Sequence, residues 1–373
     1  MVKIWFVRAV RPFLGLALSV LCLIAVALIA GSSASAQQGG AGRGGGAGRG
    51  GAPSEAAPAD GGDFSVLPIR GNVLMVNTGG NNVTVLVEPP GRPPRIPGTY
   101  VAAYGVLLVD TPPASQVDGL RAAVRRVSQG PLRYIINTSI RSEHIGGNAL
   151  LSSGFGRGGG PRGGGGGGMV LILSHDSVLQ SLAEQEPRVP QDALPTDGYT
   201  DTKEIFLNGE SIQVFHEPNA VTDGDSIVHF RRSDVISAGD IFLTTSYPVI
   251  DVGRGGTMQG VIKGLNHILD LAVPETNAEG GTMIVPGHGR LSDEADVLEY
   301  RNMNLIVWER IVDLAKKGMT LDQVKAAKPT LDYDFRYGKN AAWSPSMFIE
   351  AVYNEASKTA APARTTPARR GRP

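Results

Sequence analysis

Asn137-Thr138-Ser139-Ile140-Arg141-Ser142-Glu143-His144-Ile145-Gly146-Gly147-Asn148 is the stretch that decides how this chain is read. It follows Leu132–Ile136, a short apolar run of the kind that forms a buried strand. The polar residues therefore emerge in a loop at the C-terminal end of a strand. Loops on a rigid sheet are where binding and catalytic side chains concentrate.

Working outward, the chain alternates strands with helices. Residues 73–76 and 83–87 are short apolar strands around a Gly-Gly-Asn-Asn turn. Strands at 100–104 and 106–109 follow, and the second ends in Asp110-Thr111. Val117, Leu120, Val124 and Val127 recur at helical spacing. Downstream, 170–173 reads as a strand, and Val178, Leu179 and Leu182 suggest a helix. Asn208-Gly209 between 204–207 and 212–215 is a hairpin signal. A further strand pair spans 227–230 and 235–237. Ile262, Leu265, Leu269 and Leu271 mark a helix, and 283–285 is a last core strand ending in Pro286-Gly287-His288-Gly289. The C-terminal third is helical: a long helix over 293–317 stopping at Gly318, a short one opened by a Thr320/Gln323 capping box, and a final one over 346–357.

The opening segment resembles the ligand loop of the metallo-β-lactamase superfamily, Asn-Thr-His-x-His-x-Asp-His-x-Gly-Gly-Asn. Asn137, Thr138, His144, Gly146, Gly147 and Asn148 keep the frame. The resemblance continues in Gly105–Thr111, in Ala220-Val221-Thr222-Asp223-Gly224-Asp225, in Ala238-Gly239-Asp240 and in Val285-Pro286-Gly287-His288-Gly289. Tyr247-Pro248-Val249-Ile250-Asp251, Gly255-Gly256 and Lys328-Pro329-Thr330 are similar to a periplasmic hydrolase branch. The resemblance implies an α/β fold, a four-layer αββα sandwich, over residues 64–358.

It also implies a site for two zinc ions, which this chain has altered. The three imidazoles of the first metal correspond to Ser139, Arg141 and Val221. Valine cannot ligate, arginine repels a cation and a lone serine hydroxyl is a poor zinc ligand. The first metal site is expected to be lost. The second metal's positions are Glu143, His144, Asp240 and His288, all able to ligate one zinc ion. Glu143 is one methylene longer than the usual aspartate. With all four bound, no position stays open for water. One zinc and no metal at all are equal expectations. Asp240 reads equally as ligand or as capping group. Arg141 is expected to act as a fixed cation in place of the first ion, neutralising Asp240 and Glu143. Asp240 and Arg141 are the candidate catalytic residues. His175, His216, His229 and His267 lie off the motif and read as structural.

Outside the domain, composition carries the reading. Lys3, Arg8 and Arg11 precede an apolar run from Leu14 to Ala30, and Ala34-Ser35-Ala36 is a small-x-small cleavage site. Residues 1–36 read as a signal peptide and the protein as exported, periplasmic or secreted. An uncleaved segment would instead anchor it in the membrane. Cys22 is the single cysteine, so disulfides and thiolate ligands are excluded from an exported chain. Residues 37–63 form a Gly/Ala/Pro-rich linker, 154–168 a Gly-rich surface insertion, and 359–373 a basic tail. Lys plus Arg and Asp plus Glu both total 35. That balance does not suggest nucleic-acid binding; the expected partner is a small-molecule substrate or anionic ligand.

Three functions follow. The leading one is a catalytically degenerate binding or scaffold protein. The alternative is a single-metal hydrolase of amides or esters, such as a β-lactam or lactone. A metal-free enzyme using Arg141, His144 and His288 ranks last.

Overall fold

Alternation along the strands builds this fold. The computed structural model describes residues 64–91, 104–154, 169–185, 188–277 and 280–360. The expected signal peptide, linker, nearly all of the Gly-rich insertion, the strand at 100–104 except Tyr104, and the tail beyond 360 lie outside the described residues. The first sheet and its helices come from β1 (Ser65–Arg70), β2 (Val73–Asn77), β3 (Asn82–Leu86), β4 (Val106–Val109), α1 (Val117–Arg125), β5 (Leu132–Ile136), α2 (Ser142–Ile145), α3 (Asn148–Gly154), β6 (Leu171–His175), α4 (Asp176–Ala183) and β7 (Asp197–Tyr199). Its strands lie side by side in the order β1 to β7. The first four pair antiparallel, and β4 to β7 run parallel.

The second sheet follows with β8 (Thr202–Leu207), β9 (Glu210–His216), β10 (Ser226–Phe230), β11 (Val235–Ser237), α5 (Met258–Leu271) and β12 (Met283–Val285). Its order is β12-β11-β10-β9-β8, and only the β11–β12 pair is parallel. Four helices close the chain: α6 (Glu294–Lys316), α7 (Leu321–Ala327), α8 (Leu331–Tyr337) and α9 (Pro345–Ala360).

Successive side chains on a strand face opposite sides, and the apolar residues sort accordingly. Val73 and Met75 of β2, Leu107 and Val109 of β4, and Ile136 of β5 join Val214, Val228 and Phe230 in a core between the two sheets. Their neighbours Leu74, Val76, Val106, Leu108 and Ile135 face the other way, onto Leu120 and Val124 of α1. Ile227, Ile236 and Ile284 of the second sheet pack on α5, α6 and α9 through Leu265, Tyr300, Val307 and Phe348. Three apolar interfaces separate four layers: helices, sheet, sheet, helices. Each fully buried Leu or Ile contributes about 1.5–3 kcal/mol to holding them. Among the described residues, no helix is long and apolar enough to cross a membrane.

Most of the expected elements are present. The long helix is capped by Asp293 and ends before Gly318 at φ 77°, and Thr320 and Gln323 form the reciprocal capping box. Five elements differ from expectation: α2 and α3 form within and just after the stretch read as a loop. The edge strand β1 carries Pro68 and has a half-exposed pattern, which hides its period. The three-residue β7 and the aromatic helix α8 were also not foreseen. The final helix continues to Ala360, where Thr359 bonds back to the carbonyl of Glu355, so the tail begins later than 359.

Candidate functional site

The loops that follow β4, β5, β11 and β12 converge at one edge of the two sheets. Asp110, directly after β4, adopts φ 69°, a left-handed conformation uncommon outside glycine. That backbone turns its carboxylate inward. Oδ1 accepts from the Thr138 amide at 2.7 Å, and Oδ2 accepts from the Thr138 hydroxyl at 2.7 Å. Oδ2 also lies 2.9 Å from His144 Nδ1. Asn137 and Asn148 tie the rest of the loop together: Asn137 Nδ2 donates to the His144 carbonyl, and Asn148 Nδ2 donates to Asn137 Oδ1.

The Asp110 contact places the His144 proton on Nδ1 and turns Nε2 toward Asp240. This is the arrangement that orients a ligating histidine. His144 Nε2 stands 3.3 Å from Asp240 Oδ2. Both atoms are buried, and neither has an aligned hydrogen-bond partner. Asp240 Oδ1 accepts from His288 Nδ1 at 3.1 Å. The His288 loop is held by Asn82, whose Nδ2 donates to the carbonyls of Pro286 and Gly289. Gly287 is required there, because a Cβ would come within 2.2 Å of Asp240 Oδ1.

Arg141 enters the same cluster. Its Nε donates to Glu143 Oε1 at 2.8 Å, and one terminal nitrogen approaches the same oxygen at 2.7 Å. Nε is also 3.4 Å from Asp240 Oδ2, and Nη1 donates to the Val249 carbonyl at 3.2 Å. The guanidinium thus spans two of the four expected metal ligands.

The charges respond to this packing. Burial disfavours the His144 imidazolium, but Asp110 and Asp240 outweigh it and raise the pKa well above the ordinary value. Burial acts to raise Asp240, yet His144 and His288 hold its carboxyl well below the usual range. For Glu143, burial also acts upward, and Arg141 brings the net value down. Burial opposes the Arg141 charge, but Asp240 and Glu143 raise its pKa. The carboxylates of Asp110, Glu143 and Asp240 therefore face two cations, Arg141 and protonated His144.

Glu143, His144 and Asp240 bring one potential ligand atom each within 4.8 Å of one another. His288 reaches Asp240 from the opposite oxygen and is not part of that close group. At the first-metal positions, Val221 is fully buried in the apolar core and Ser139 is 1% exposed. The Ser139 hydroxyl lies close to Asp225 without an aligned hydrogen bond. Burial pushes the Asp225 carboxyl up to about 6 against the bonds from Thr222. The sequence marks Asp110 only as the end of a strand. Sequence reasoning also missed Asp225 and the Val249 carbonyl; a backbone acceptor leaves no mark in residue identity.

A cavity of about 810 Å³ opens over Arg141 and Glu143. Ile145, Val249, Ile250, Trp343 and Met347 line its walls. Trp343 is fixed there by its indole N–H, which donates to the Pro248 carbonyl.

No family model matches this sequence, and no curated protein matches it. Solved structures do. The stereoselective inverting sec-alkylsulfatase Pisa1 from Pseudomonas sp. aligns with TM-score 0.56 at 11% identity, over 78% of this chain and 50% of the sulfatase. A double mutant of the same sulfatase aligns with TM-score 0.57 at the same identity and coverage. This chain thus spans half the length of these two structures. A metallo-β-lactamase from Pontibacter korlensis gives TM-score 0.48 at 11% identity, over 65% of this chain and 99% of that one. At such identity the likeness concerns the fold alone. With the layer order and strand topology described above, this chain has a four-layer αββα fold shared with the sec-alkylsulfatase structures.

Proposed function

We propose that this protein is an exported, catalytically degenerate member of a metallo-hydrolase fold, binding a small molecule above a metal-free centre. The observation that carries the reading is the Arg141 guanidinium, 2.7–3.4 Å from the carboxylates of Glu143 and Asp240. A fixed cation there balances charge that a metal would otherwise balance. It cannot acidify a water as zinc does. The residues present do not fit a two-metal centre, since Ser139, Arg141 and Val221 supply no imidazole. In the arrangement seen they do not fit one ion either, because Arg141 already occupies Glu143 and Asp240. The cavity supplies the binding role. Its floor offers the Arg141–Glu143 pair to a polar or anionic group, and its apolar walls suit the rest of a small molecule.

One observation favours a second reading, a single-metal hydrolase of amides or esters. His144 Nε2 and Asp240 Oδ2 are buried and lack hydrogen-bond partners. With Arg141 withdrawn, Glu143, His144, Asp240 and His288 would hold the ion. A zinc held by only three of these, with its fourth position open, would supply Lewis-acid polarisation of a carbonyl. Elemental analysis of protein purified without chelators separates the two readings. The proposal expects no stoichiometric metal, even after excess zinc and desalting. About one zinc per chain, lost in His288→Ala, would establish the second reading instead.

A further inference from the structure

A second group of chemically capable side chains faces another cavity, which adjoins the Arg141 cavity at Ile140 and Arg254. β6 ends at His175, and the chain turns directly into α4, with Ser177 in the first turn. β6 runs parallel between β5 and β7, so this is the C-terminal end of a central parallel strand. A serine on a strand-to-helix turn is a recurring way to present a nucleophile.

Ser177 Oγ lies 2.8 Å from His175 Nδ1. His175 Nε2 lies 2.9 Å from the Thr200 carbonyl, an acceptor only, so Nε2 carries the proton and Nδ1 is the acceptor. The Thr200 carbonyl orients the ring, as a carboxylate does in a catalytic triad. The ring is also clamped by stacking on His216, with centroids 3.5 Å apart and planes 9° from parallel. His216 is anchored in turn, its Nε2 lying 2.6 Å from the Asp223 carbonyl. The bland role of His175 is to cap α4 through the Ser177 amide at 3.2 Å. Capping does not require the serine hydroxyl, nor the space kept in front of it.

That space is a cavity of about 490 Å³, lined by Ser177, Asn219, Thr222 and Gly224 among others. A Cβ at Gly224 would stand 2.8 Å from Ser177 Oγ and 2.6 Å from a Val178 methyl, so the glycine keeps the hydroxyl accessible. The Val178 amide, next after the serine, belongs to the first turn of α4 and has no intrahelical acceptor. An amide at that position serves the oxyanion in other serine hydrolases.

We propose that Ser177 and His175 form a nucleophile–base pair that hydrolyses small acyl esters in this cavity, independently of the Arg141 centre. Ser177 Oγ bonds to the ester carbonyl carbon while its proton passes to His175 Nδ1. The carbon–oxygen bond to the alcohol breaks, and the alcohol leaves with that proton. Water then attacks the acyl-serine, gives its proton to His175, and releases the acid as Ser177 recovers its hydrogen. Glu184, Asp223 and Arg254 in the lining carry both signs of charge and so favour an uncharged acyl group.

The test is labelling of the full chain with an uncharged alkyl fluorophosphonate, read by intact mass and peptide mapping. One adduct on Ser177 is expected, absent in Ser177→Ala and formed about 10²–10⁴-fold more slowly in His175→Gln. Because His175 also caps a helix, the wild-type pH profile provides a second readout. Burial and the neighbouring His216 lower the His175 pKa, against the opposing effects of the Thr200 carbonyl, Asp176 and Asp223. Labelling should therefore fall only at pH values below about 6.5. No adduct, an adduct confined to other residues, or a rate unchanged between about pH 4.5 and 8 overturns the proposal.

Discussion

Replacing Arg141 by methionine keeps much of the side-chain stem and removes the charge, and so isolates what the guanidinium does. Glu143 and Asp240 would then face each other without their shared cation. Breaking one side of a buried pair costs about 3–5 kcal/mol, and less where water reaches it. Arg141 is 21% exposed and Asp240 1%, so a loss of roughly 2–3 kcal/mol by denaturant unfolding is expected. A loss under about 0.5 kcal/mol is what a surface residue would give, and it would remove the substitute-cation role. Asp225 gives a pH test at the same scale. Its folded carboxyl sits at about 6, above the ordinary 3.8. Across that window the folded state holds a proton that the unfolded state has released, so stability falls as pH rises from about 4 to about 6. Asp225→Asn should flatten that slope in urea titrations; an unchanged slope would assign it to other groups. The site was partly legible because motif spacing survives substitution: Glu143, His144 and Asp240 could be named from sequence alone. Asp110 was legible as a residue but not as the orienter of His144, because that role depends on a left-handed backbone.

At the scale of elements, two glycines separate turn strain from site strain. Asn208 and Gly209 join β8 to β9 with φ 57° and 79°, the doubly left-handed turn that Asn-Gly favours. Gly209→Ala meets only the end of the flexible Arg232 side chain, so the cost is backbone strain of about 1–2 kcal/mol. Gly287→Ala instead drives a methyl into Asp240 Oδ1 and the Gly239 backbone. It should cost more, about 2–4 kcal/mol, and it should also disturb His288, visible as a shifted imidazole resonance by NMR. Equal costs and unchanged His288 signals would mean that the β11 and β12 loops are not coupled through this glycine. The hairpin was legible because turn chemistry is local. β1, β7 and α8 were not, because pairing with a neighbour or packing on the helical layer defines them rather than their own periodicity.

At the scale of the molecule, the question is what holds four layers together when Ser139, Arg141 and Val221 supply no imidazole to the centre joining the loops. Three apolar interfaces answer it: one between the sheets and one on each outer face. The loops of the two sheets are joined by protein groups, since Asn82 grips the His288 loop and Arg141 bridges α2 to Asp240. If these replace a metal, thermal unfolding of the full chain should be indifferent to a strong chelator and to added zinc. A variant carrying Ser139→His, Arg141→His and Val221→His supplies the three imidazoles of the first site. Zinc at about a hundred times its dissociation constant would then stabilise it by about 2.7 kcal/mol. For a domain of this size that is a rise of roughly 4–5 °C. A wild-type rise of several degrees on adding zinc, abolished in His288→Ala, would show that the native fold binds the ion through its second set of ligands and that Arg141 yields to it. Indifference in the wild type together with a rise in the triple variant would show that the scaffold still has the geometry for a metal, and that the three substitutions alone have removed it.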